Sequence, residues 1–177
     1  MNLYSIALFL HVVGALLLFV TLTVEGIALR QLHQAATPEA AQGAAAMFRL
    51  NRIVGPMSAL GVLIPGVYMT ATTWGWVAWI VVALVSWLLI AVLGAVNGIR
   101  ILALERSKGL PTGSRNPMFL ISWVTRVGIA LGVVFLMTVK PGAAAAVLAI
   151  VISAAVGAGL GVALSRLSSD GREVEIA

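Results

Sequence analysis

Three side chains, His11, Glu25 and Arg126, carry most of the chemistry open to this sequence, and each interrupts an otherwise apolar stretch. An imidazole can hydrogen-bond between helices, take up a proton, or ligate a metal or haem. A carboxylate and a guanidinium can lock two helices together as an ion pair, or line a polar cavity for a proton, an anion or a headgroup. The residues His11, Gly14, Leu18, Thr21 and Glu25 follow helical spacing. At about 100° per residue they share one helix face, within an arc of about 80°. His11 and Glu25 are nonetheless about 21 Å apart along the axis, too far for one small site. Arg126 lies about 12 Å from the start of its own apolar stretch, at a depth comparable with Glu25, so Glu25 and Arg126 are the expected intramembrane pair. Asn97 and Ser58 are candidates to extend a cavity around them.

Other chemistry is excluded by inventory. The chain has no cysteine, which removes thiolate zinc sites, iron–sulfur clusters, thiol catalysis and covalent haem attachment. Its one aspartate, Asp170, lies in the terminal segment, so neither a Ser-His-Asp set nor an aspartyl pair can form within a span. Two distant histidines, His11 and His33, make a poor mononuclear metal site, and no metal ligands are assigned. No nucleotide-binding or hydrolase motif occurs, and no catalytic residue is assigned. His33 lies too far along the chain to join His11 on one haem, leaving Met69, Met137, a five-coordinate iron or a second copy of His11 as the remaining arrangements.

The elements that must position these groups are transmembrane helices. Of 177 residues, 61% are apolar and only 10% charged, and the mean hydropathy is +1.08. A soluble domain carries about 25% charged residues. Windows of about 20 apolar residues give five spans, at about 3–28, 53–72, 76–96, 118–139 and 142–164. The expected fold is therefore all-α, a single five-span helix bundle. Thr37, Pro38 and Glu39 form a helix start, so residues 38–52 read as a further helix, either on the membrane surface or continuous with the second span.

Charge orients the bundle. With the N-terminus outside and the C-terminus cytoplasmic, the inner segments hold Arg30, Arg49, Arg52, Arg100, Arg106, Lys108, Arg115, Arg166 and Arg172, while the outer side holds Lys140. That asymmetry follows the positive-inside rule. Tyr4, Tyr68, Trp74 and Trp76 fall near the outer interface, as aromatic belts do. The net charge of +5 is spread over span ends rather than gathered in a run with interleaved aromatics, so lipid, not nucleic acid, is the expected partner. Gly94 and Gly98, Gly128 and Gly132, and Gly157 and Gly161 have the spacing of close helix contacts, within the bundle or in a homo-oligomer.

The stretch L-F-L-H-V-V-G-A-L-L-L-F at residues 8–19 resembles a family of uncharacterised bacterial integral membrane proteins. More distantly it is similar to the copper-resistance D-type proteins and to the haem-containing membrane protoporphyrinogen oxidases. The resemblance implies a bacterial inner-membrane bundle and, by way of its first-helix histidine, haem at His11. The expected role is a structural or accessory component of a larger membrane assembly without catalysis of its own. Two alternatives stand beside it, a haem b redox protein using His11 and a small channel or carrier with a path near Glu25 and Arg126.

Overall fold

The computed structural model describes residues 2–35, 37–108 and 117–176. Its five helices are α1 (Leu3–Gln34), α2 (Pro38–Met69), α3 (Ala78–Lys108), α4 (Pro117–Val139) and α5 (Ala143–Ile176). No strand occurs among the described residues. All five helices are long and apolar enough to cross a bilayer. Large apolar side chains such as Leu3, Phe9, Ile64, Val85 and Ile99 are exposed on the outer surface. Water would penalise such a surface and hydrocarbon would not, which marks a multi-pass membrane protein.

Local signals explain where the helices begin and end. Asn2 caps α1, its side-chain oxygen accepting from the backbone N–H of Ser5 at 2.9 Å. Residues 38–52 belong to the same continuous helix as the second span, which runs through Pro56 and Pro65. Beyond Met69 the chain makes a π-helical turn, Thr70–Trp74, closed by the Gly75 N–H on the Thr70 carbonyl at 2.8 Å. Gly75 has φ 68° and ψ 178°, a conformation open essentially to glycine alone. Pro141 follows Lys140, whose φ of 53° ends α4.

Packing divides the bundle into two parts. On one side α1 and α2 form a hairpin whose backbones meet where a Cβ on Gly14 would lie 2.5 Å from the Gly61 carbonyl carbon. On the other, α4 and α5 are drawn together by Gly128, Gly132, Gly157 and Gly161, and α3 packs on α4. Lipid offers no hydrophobic force between helices, so such close backbone approach supplies the dispersion contacts that hold them. Leu22, Ile90, Ile129 and Ala130 join α1, α3 and α4 at mid-bundle, and Leu29, Ile101 and Phe119 join the same three helices at one end. Between α2 and α3 there is little contact, and a cleft runs there instead.

Candidate functional sites

The polar stripe of α1 is the side that faces inward. Gly14, Thr21 and Glu25 are buried, and His11 and Leu18 are half-buried. Its two ends reach different cavities, one near each end of the bundle.

The tryptophan end takes its name from Trp74, whose indole N–H donates to the Tyr4 hydroxyl at 3.2 Å. Trp79 meets Trp74 edge to face at 6.0 Å between centroids, and the Lys140 ammonium lies 4.1 Å from the Trp74 ring centre. Beneath them is a cavity of about 400 Å³, lined by His11, Met69, Met137 and Trp87 among others. His11 is held by its Nδ1, which lies 2.8 Å from the Val62 carbonyl oxygen on α2. A carbonyl only accepts, so the hydrogen of this contact sits on Nδ1, and in the neutral ring the lone pair is that of Nε2. No described residue hydrogen-bonds Nε2. Val62 lies in the turn of α2 that precedes Pro65. Gly66 keeps the wall thin beside the imidazole, since a Cβ there would come 3.2 Å from the ring.

At the opposite, arginine end, Glu25 accepts a hydrogen bond from the Arg126 guanidinium, which also makes them an ion pair. Both residues are more than nine-tenths buried. Gly94 on α3 makes room for the guanidinium, because a Cβ there would lie 2.9 Å from Nη1. Arg126 Nε is buried and has no hydrogen-bond partner. Trp123, one turn before Arg126, lays its ring over Gly26 and donates its indole N–H to the Leu22 carbonyl at 2.7 Å. Two side chains of α4 thus grip the last membrane turns of α1.

A second cavity, of about 570 Å³, opens onto this pair and is also lined by Arg49 and Arg52 of α2. Asn97 and Ser58, expected to extend it, do not line it. Asn97 donates to the Ser122 hydroxyl at 3.0 Å, binding α3 to α4, and Ser58 bonds the Gly55 carbonyl of its own helix at 2.7 Å. The structure therefore brings Glu25 and Arg126 together, keeps His11 apart from them, and puts Met69 and Met137 in the cavity of His11. The Val62 carbonyl, the Trp123 clamp and the room made by Gly94 have no counterpart in the sequence reading. A backbone acceptor carries no signal in side-chain type, and the facing of one helix on another is a property of the assembled bundle.

The chain matches no protein-family model, and comparisons with curated proteins and with solved structures find no match either. The resemblance at residues 8–19 stands on those residues alone.

Proposed function

We propose that this protein is a small b-type haem protein of the bacterial inner membrane, serving as an accessory redox component of a larger assembly. The observation that carries the reading is the state of His11. A histidine that ligates a metal is usually oriented by a hydrogen bond from its other ring nitrogen. Here Val62 supplies that partner in advance and leaves Nε2 as the donor atom.

The surroundings are of the right kind for the group. The cavity volume of about 400 Å³ lies within the common range for ligand sites, roughly 300–1,000 Å³. Met69 and Met137 supply sulfur donors, Trp79 and Trp87 supply flat apolar walls, and Lys140 supplies a cation for a propionate. Bound haem would contribute one-electron exchange, while the chain would hold it, exclude water and set its polarity. Positive-inside charge gives the orientation of this reading, with the N-terminus, Trp74 and His11 towards the outer face and the C-terminus in the cytoplasm.

Detergent-purified protein from haem-replete cells should show a Soret band that shifts on dithionite reduction. His11→Ala should remove that band, and Met69→Leu or Met137→Leu should move it without abolishing expression. A colourless wild-type protein would overturn the reading.

A further inference from the structure

The cavity at the arginine end is not lined by His11, and its walls have a definite chemical character. It is bounded by α1, α2 and α3, with Arg126 of α4 at its floor. The contacts of Gly14 with Gly61 and of Leu32 with Ala44 fix the antiparallel register of α1 and α2. In that register Glu25 is level with the turn carrying Arg49 and Arg52. One end of the cavity therefore gathers three arginines against one carboxylate, and from there it runs past Leu60 and Ala91 to Trp87. Leu60 and Ile99 on its rims are exposed, so the cavity opens sideways, where acyl chains would lie.

Two further observations indicate that this end is built to receive an acceptor. Arg126 Nε is a buried N–H without a partner, so the guanidinium beside the cavity keeps hydrogen-bonding capacity that Glu25 does not meet. Arg49 and Arg52 are exposed and have no carboxylate partner among the described residues.

We propose that this cleft is a binding site for one anionic glycerophospholipid. Its phosphate would meet Arg49 and Arg52, its glycerol esters would lie towards the Arg126 end, and one acyl chain would lie against Leu60 and Ala91. Arginine suits the phosphate because its planar fork offers paired donors. The site takes its ligand laterally from the membrane, and its arginines lie at the opposite end of the bundle from His11, with Trp87 as the residue that the two cavities share.

Native mass spectrometry of the delipidated protein in mild detergent provides the test, with phosphatidylglycerol, phosphatidylcholine and inorganic phosphate as separate probes. One phosphatidylglycerol should remain bound per chain, and the double variant Arg49→Gln, Arg52→Gln should weaken it by roughly tenfold to a hundredfold. A Cβ on Gly98 meets open space and Gly98 lines the cleft, so Gly98→Leu places its side chain in the path of the lipid and should weaken retention while the melting temperature is kept. His11→Ala should leave lipid binding unchanged, which separates this proposal from the haem reading. Equal retention of phosphatidylcholine, undiminished binding in either cleft variant, or competition by inorganic phosphate at the lipid's own concentration would overturn it.

Discussion

Between α4 and α5 the backbones come so close that a Cβ on Gly157 would lie 2.7 Å from the Val124 carbonyl oxygen. Between α2 and α3, a Cβ on Gly55 or Gly98 would meet nothing within 4 Å. The same residue type thus closes one helix pair and leaves the other apart. At the seams glycine removes atoms so that two backbones can touch, which in lipid is a main source of helix association. Along the cleft it removes atoms and nothing moves in. Helix packing in this bundle is therefore uneven by construction, with rigid pairs, α1 with α2 and α4 with α5, flanking a gap that each proposed ligand site occupies at one end.

Glu25 and Arg126 join the two parts at the end of that gap, and breaking their pair should give the largest effect. Arg126→Gln leaves Glu25 buried without its cation, a loss of about 3–5 kcal/mol when one partner of a buried ion pair is removed. The expected result is a large fall in thermal stability in detergent micelles, with the paired variant Glu25→Gln, Arg126→Gln recovering much of it. If Arg126→Gln melts like the wild type, the pair is not what joins the hairpin to α3, α4 and α5. Next in size is Gly14→Leu at the α1–α2 seam, where even a Cβ would lie 2.5 Å from backbone. Overpacking of this kind costs about 1–3 kcal/mol, and more where backbone must shift. Gly14→Leu should thus melt well below Gly98→Leu although the two substitutions are chemically identical. Equal melting temperatures would erase the distinction between seam and cleft.

How much of this was legible in the sequence follows from what each feature depends on. Long apolar runs and one-sided polar spacing are properties of a single helix, so the spans and the stripe from His11 to Glu25 could be read directly. Glu25 and Arg126 could be matched because depth in a membrane is counted from the ends of apolar stretches, and two opposite charges at one depth have few alternatives. Facing is different. Gly128 and Gly132 close a seam and Gly98 borders a gap, yet all three sit in the same G-x-x-x-G spacing. The apolar windows also stop short of the helices themselves. Residues 29–34 and 38–52 are too polar to count as span, but nothing in them stops a helix, so α1 and α2 continue as a packed pair through Leu32, Ala41 and Ala44. The site of His11 was half legible. Met69 and Met137 could be named beside it from residue type, while the Val62 carbonyl that holds its Nδ1 is a backbone group of α2 with no signal in side-chain type.

The smallest expected effect is also the sharpest probe of the gap, because its sign opposes the usual one. Replacing a helical glycine by alanine restricts the unfolded chain and is favourable by about 0.4–1 kcal/mol when the folded backbone accepts a Cβ. Gly98 sits in the middle of α3, and its Cβ would point into open space. Gly98→Ala should therefore raise the melting temperature slightly. The same change at Gly157 should lower it, since its Cβ would stand 2.7 Å from a carbonyl oxygen and the entropic gain cannot offset a backbone collision. A methyl group is too small to fill a cavity of about 570 Å³, so Gly98→Ala keeps the cleft and changes only the helix. A fall in stability at Gly98 would mean that α2 closes onto α3 in the membrane, which would turn the gap into a third seam.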